Sequence, residues 1–226
     1  MIERLLPAAM AWSESFGDED CTLFPEEEAV ITRAVAKRRR EFTTARWCAR
    51  QALSALGVPA VPIVPGGRGA PRWPPDLVGS ITHCAGYRAA VAARASAITT
   101  VGIDAEPHAP VPPGVYDSVS RPEERELLSE RARTVPEICW DRLLFSAKES
   151  VYKAWYPLAQ RWLDFDEARI SFALTGEGCG TFHAELLVPG PAVPGHGVLS
   201  AFTGRWQVDR GLVVTAVALE ASGGPA

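Results

Sequence analysis

Apolar residues recur at helical steps over two long stretches of the chain and at strand steps over most of the remainder. From residue 26 to 56, Val35, Phe42, Ala45, Ala49, Ala52 and Leu56 repeat at intervals of three, four and seven, which predicts one long helix with a single buried stripe. Pro25-Glu26-Glu27-Glu28 supplies its start, and Gly57 and Pro59 its stop. Residues 58–76 carry too much Pro and Gly for regular structure and read as a loop with extended pieces. Three strand candidates follow at 77–84, 87–94 and 98–106, with Gly86 and Ala95-Ser96-Ala97 at the turns, the pattern of an antiparallel meander. Proline-rich residues 107–114 form a linker, and Ser120-Arg121-Pro122-Glu123 marks a helix start. A second long helix is expected at about 136–158, then strands at 168–174, 181–188, 199–208 and 211–220.

Each half therefore offers a long helix followed by strands. We divide the chain at residues 1–107 and 108–226, an α+β protein built from two helix-plus-antiparallel-sheet units. A cleft between side-by-side halves is the natural ligand site.

The chain has 226 residues, of which 47% are hydrophobic and 22% charged, enough for a packed core. It lacks the apolar run of about 18 residues that a membrane-spanning helix needs. The leading residues have acids where a secretory leader carries basic ones. The five scattered cysteines form no CxxC, so neither a disulfide framework nor a zinc site is indicated, and a cytoplasmic setting is expected. The net charge of −4 argues against a general nucleic-acid binder. The cations are nonetheless bunched: Lys37-Arg38-Arg39-Arg40, then Arg46 and Arg50, then Arg68 and Arg72. Either a solvated helix face or a site for a small anion accounts for that bunching.

Three groups of residues carry chemistry. In the strand VGIDAE (101–106), alternation puts Thr100, Gly102, Asp104 and Glu106 on one face and Val101, Ile103 and Ala105 on the other. Asp104 and Glu106 are then about 7 Å apart at their Cα atoms, close enough to share a hard cation, with Gly102 leaving space for a ligand. In FSAKESVYK (145–153), Lys148, Glu149 and Lys153 lie on an otherwise apolar helix, where charges need partners. A simple Glu–Lys pair four residues apart is the plain alternative. His83, in GSITHCAGY, closes a strand near Ser80 and Thr82, which supply further donors.

These segments resemble the 4′-phosphopantetheinyl transferases of the Sfp/EntD type. The resemblance rests on VGIDAE (101–106) and FSAKESVYK (145–153), with RRREFTTARWCAR (38–50), GRGAPRWP (67–74) and GSITHCAGYR (79–88) in the same order. It spans residues 26 to 220. It implies a pseudo-two-fold α+β monomer that binds coenzyme A between its halves and moves the 4′-phosphopantetheine arm to a serine of an acyl or peptidyl carrier protein, releasing 3′,5′-ADP. Such carriers serve fatty acid, polyketide or non-ribosomal peptide synthesis.

By the resemblance, Asp104, Glu106 and Glu149 hold Mg²⁺, with Mn²⁺ as a substitute. Glu149 is the candidate base, with Lys153 and Asp104 beside it in the catalytic set. Arg38, Arg46, His83, Lys148 and Lys153 contact coenzyme A. One family lysine is replaced by Pro65, so Arg68 is assigned to that contact. No nucleic acid or membrane partner is implied. Two rivals remain open, an Mg²⁺-dependent phosphohydrolase acting on a nucleotide or pyrophosphate and a non-catalytic module that binds coenzyme A.

Overall fold

The structure, a computed structural model, describes residues 1–223. Its elements run β1 (Ala11–Ser15), α1 (Pro25–Ile31), α2 (Ala36–Ala55), β2 (Leu77–Cys84), β3 (Tyr87–Arg94), β4 (Ile98–Pro107), α3 (Val115–Val119), α4 (Pro122–Thr134) and α5 (Trp140–Ala159). After α5 come β5 (Ala168–Gly176), β6 (Cys179–Leu186), the short pair β7 (Ala192–Val193) and β8 (Gly197–Val198), β9 (Ala201–Asp209) and β10 (Leu212–Glu220). The protein is α+β, and both larger sheets are antiparallel.

The expected first helix is two helices. Thr32 turns its hydroxyl back onto the Glu28 and Ala29 carbonyls, and Val35 is extended and largely exposed, so it leaves the predicted stripe. Phe42, Ala45, Ala49 and Ala52 are buried as the spacing required. Ahead of the break, Glu27 turns inward. Its fully buried carboxylate accepts from the backbone N–H groups of Phe24 and Ile63 and pairs with Arg50. The second long helix begins four residues later than expected, at Trp140.

The meander is only partly realised. β2 and β3 form the predicted hairpin, and β1, which was not anticipated, adds to β3 in the order β1-β3-β2. β4 instead pairs with β10, at the edge of a second sheet ordered β4-β10-β9-β6-β5. The two sheets meet where β2 runs beside β4. No backbone ladder joins them there. Ser80 Oγ accepts from the Ile103 N–H and Thr82 Oγ1 from the Ala105 N–H, each at 3.0 Å. A two-residue step on one strand matched by a two-residue step on the other means that β2 and β4 run parallel. Thr82 is fully engaged, since its hydroxyl also donates to Asp104 Oδ1, whereas Ser80 uses only an acceptor here and lines the cleft.

Alternation on β4 holds. Val101, Ile103 and Ala105 enter a core shared with Tyr87, Val91 and Val214. The opposite face lies under α5. There Thr100 donates to the Ala154 carbonyl, and a Cβ on Gly102 would stand 1.9 Å from the Ser150 carbonyl. Gly102 therefore makes room for a helix backbone and not for a ligand. The far side of α5 seals a second core around Leu143, Leu144, Val151, Trp155 and Trp206.

Candidate active site

Because α5 lies on the Asp104 face of β4, the strand acids and the helix charges meet. Lys153 Nζ donates to Asp104 Oδ1 at 2.7 Å and to the Ile103 carbonyl at 3.0 Å. Thr82 supports the same carboxylate oxygen at 3.3 Å. Asp104 is 5% exposed, and its other oxygen, Oδ2, is buried with no hydrogen-bond partner. Glu149 lines the cleft with Lys153. Burial lifts the Glu149 carboxyl above its ordinary pKa, and the Asp104 charge adds to the lift against an opposing pull from Lys153. The Glu106 carboxyl is raised by the same causes in the same order, burial and then Asp104.

The three acids do not close into one cluster. Arg142 takes Glu106 Oε2 at 2.8 Å and is itself fixed by the carbonyls of Ala109 and Pro110. Among the described residues no three His, Cys, Asp or Glu side chains are gathered to hold a metal ion. Two of the three expected ligands instead lean on the protein's own cations, Asp104 on Lys153 and Glu106 on Arg142. The chemistry of the set still fits a hard divalent ion. It offers carboxylate oxygens only, one of them buried and bare, in a place where burial and mutual repulsion work against the charged forms.

Lys148 departs from expectation. It lies five residues from Lys153, about 140° away around the helix. Its ammonium, 2% exposed, donates to Glu124 Oε2 at 2.7 Å and to the Phe165 carbonyl at 2.6 Å. Glu124 also accepts from the Arg121 and Ile170 N–H groups. This is a closed structural network that ties α4, α5 and β5 together, turned away from the main cleft. Arg46 is the second departure. It is 7% exposed, with Nε on the Ile63 carbonyl and the guanidinium stacked on Phe42, 4.0 Å from the ring centroid. Desolvation lowers its pKa to about 10. It braces the loop after α2 from within and does not reach the cleft wall.

Arg38 and His83 do come together, with Arg38 Nη1 2.6 Å from His83 Nε2. Since arginine only donates, Nε2 is the acceptor of a neutral imidazole. Burial first, and then the Arg38 charge, hold the His83 pKa below its usual value, consistent with that form.

A cleft of about 640 Å³ runs beside Lys153 and Glu149. One wall is the Gly66–Arg72 loop, a tight reversal closed by Gly66 N–H to the Ala70 carbonyl and Arg72 N–H to the Val64 carbonyl. Pro65 pairs with Pro71 at its base. The tip touches α5, where a Cβ on Gly67 would stand 2.5 Å from the Tyr156 hydroxyl. Arg68 and Arg72 both line the cleft, and Arg68 reaches over Trp162. The opposite wall is α5 with Tyr152 and Tyr156. Two buried polar atoms among the lining residues have no partner, Tyr152 Oη and Trp73 Nε1.

Sequence reasoning passed over Trp73, Tyr152, Arg142 and Glu124. Only Glu124 left a signal, as the acid three residues into a helix that starts with Arg-Pro.

Comparison with known families matches residues 26–93 to the 4′-phosphopantetheinyl transferase N-terminal domain and residues 100–189 to the 4′-phosphopantetheinyl transferase superfamily. Three curated relatives cover nearly the whole chain. 4′-Phosphopantetheinyl transferase Svp of Streptomyces mobaraensis is 53% identical over 230 residues, covering 100% of this chain and 92% of the relative. 4′-Phosphopantetheinyl transferase Npt of Nocardia iowensis is 51% identical, with 96% and 99% covered. 4′-Phosphopantetheinyl transferase PptT of Mycobacterium tuberculosis is 48% identical, with 97% and 98% covered.

Proposed function

This chain belongs to the 4′-phosphopantetheinyl transferase superfamily, and from that premise we propose how it moves the 4′-phosphopantetheine arm of coenzyme A onto a serine of a carrier protein. The carrying observation is the pairing of an open acid–base set with a cleft. Asp104, with one oxygen bare, faces Lys153, and Glu149 stands beside them on the cleft wall.

In our reading the pantetheine arm lies along the cleft. Tyr152 Oη and Trp73 Nε1 are free to donate to its amide carbonyls, and Arg68 and Arg72 add positive charge at the loop side. The nucleotide end lies toward Arg38 and His83, where an arginine fork suits a terminal phosphate. Arg46 contributes by holding the loop, and Lys148 by holding α5.

The carrier serine oxygen attacks the β-phosphorus of the pyrophosphate and a new P–O bond forms. The bond to the bridging oxygen breaks, and 3′,5′-ADP departs with that electron pair. Glu149 accepts the serine proton. In the metal-free protein its pKa is raised, by burial first and then by the Asp104 charge. Lys153 neutralises the departing phosphate, which is where positioning and charge count most. Mg²⁺, or Mn²⁺, held by Asp104, Glu106 and Glu149, would supply neutralisation of the pyrophosphate charge when bound.

We assign the chain a monomeric state and a cytoplasmic setting, with no nucleic-acid or membrane partner. The five free cysteines support a reducing compartment. Among the described residues no helix is long and apolar enough to cross a membrane.

Intact-mass spectrometry of a mixture of the protein, coenzyme A, Mg²⁺ and an apo carrier domain separates the readings. A carrier heavier by one phosphopantetheine supports transfer. Hydrolysed coenzyme A with an unchanged carrier overturns it in favour of a phosphohydrolase, and bound but intact coenzyme A in favour of a binding module.

A further inference from the structure

Behind the Arg38–His83 pair lies a third cation that the sequence did not single out. Arg88 is the cross-strand partner of His83 in the β2–β3 hairpin, so both side chains point to the face covered by α2. Arg88 is 7% exposed, and its Nε is buried without a partner. Its Nη2 is held at 3.0 Å by Asp18 Oδ1, while Asp18 Oδ2 takes Arg40 Nε at 2.9 Å.

Asp18 thus lies between two arginines with one oxygen for each, the arrangement that a phosphate oxygen pair would adopt on the same guanidinium groups. The Asp18 side chain is 44% exposed and belongs to no helix or strand. Its segment is pinned on either side, by the Ser15 hydroxyl to Glu19 and by the Glu19 N–H to Thr44. The aspartate can leave its arginines without unfolding either anchor.

We propose that Asp18 is an internal stand-in for the terminal phosphate of the nucleotide, and that Arg88 is a further ligand-binding residue which Asp18 releases when coenzyme A arrives. This rests on the reading above that the nucleotide end lies at Arg38 and His83. Without ligand, Asp18 keeps Arg88 and Arg40 from facing each other uncompensated. With ligand, the 3′-phosphate takes over, and the binding energy is reduced by the contact that has to be broken. The device lowers affinity for coenzyme A and narrows its advantage over analogues that lack the 3′-phosphate.

The test is calorimetric titration of coenzyme A and of 3′-dephospho-coenzyme A into the full chain, its D18N variant, R88Q and the double variant. D18N should bind coenzyme A about threefold to fivefold more tightly, the size expected of a half-exposed ion pair. It should leave dephospho-coenzyme A unchanged. R88Q should weaken coenzyme A selectively and make D18N silent in the double variant. Asp18 is half exposed, so D18N is expected to fold even if R88Q does not, and its result alone decides. Wild-type protein that prefers coenzyme A, with D18N showing the same ratio or a weaker one, overturns the proposal and leaves the transfer reading intact. Wild-type protein that binds both ligands equally removes the nucleotide phosphate from this corner, and the proposal with it.

Discussion

Two lysine–carboxylate pairs hang from α5, and they differ in what surrounds them. Lys148 and Glu124 are 2% and 1% exposed, and Glu124 accepts further bonds from two backbone N–H groups. The Lys153 and Asp104 side chains are 27% and 7% exposed, Asp104 keeps a bare oxygen, and Lys153 lines the cleft with Glu149. The first pair is saturated and can only hold. The second is unsaturated, and an unsaturated buried carboxylate is costly unless something else comes to it. The signature Lys-Glu-x-x-x-Lys thus divides into a lysine closed inside a network and one that lines the cleft, because the helix aims them at different neighbours.

The comparison breaks most visibly at Lys148. Lys148→Met strands a buried Glu124 and should cost about 3–5 kcal/mol in denaturant unfolding. Adding Glu124→Gln should recover a large part, because the remaining buried group is then neutral. An undiminished stability in Lys148→Met would mean that this pair is as open as the other.

Metal comes next. Mg²⁺ should raise the melting temperature of the wild-type protein by about 5 °C near saturation. Asp104→Asn should abolish the shift, and Glu124→Gln should leave it in place. This differential measurement reads binding and not activity.

Acidity sharpens the same contrast. Burial and Asp104 raise the Glu149 carboxyl pKa, so the charged form is disfavoured in the folded, metal-free protein. The sign follows: its relative stabilisation is full below the unfolded carboxylate pKa and is lost as pH rises through the higher folded value. Metal-free protein should therefore gain stability as pH falls from neutrality toward that range, and Glu149→Gln should flatten the gain. Added Mg²⁺ should suppress the gain, because a bound cation favours the charged carboxylate. The smallest effect is expected at Tyr152→Phe, about three- to tenfold in KM for coenzyme A, from loss of a single hydrogen bond. Stability without ligand should hold or rise, since an unpaired hydroxyl is removed.

The sequence made some of this visible and hid the rest for definable reasons. Alternation placed Asp104 and Glu106 on one face of β4, and that face is the one α5 covers. The partner of β4 was hidden because seven of its ten residues are buried, so both faces read as core and the pattern does not say which sheet it joins. The break between α1 and α2 was hidden because the contact that accompanies it, a buried Glu27 reaching Ile63, spans 36 residues of sequence. Lys148 and Arg46 were assigned to ligand because cations in a basic or conspicuous run look alike in one dimension. Burial separates them, and burial depends on partners such as Glu124 and Ile63 that no local pattern names. The Arg142 grip on Glu106 was equally silent, since it joins α5 to the linker after β4.

The central claim is that the open side of α5 carries the chemistry. Glu149→Gln tests it most directly when single-turnover transfer to an apo carrier is measured beside calorimetric affinity for coenzyme A. The account predicts turnover down by about 10²–10⁴-fold with affinity held within a few-fold. Turnover and affinity falling together, or turnover unchanged, would contradict it.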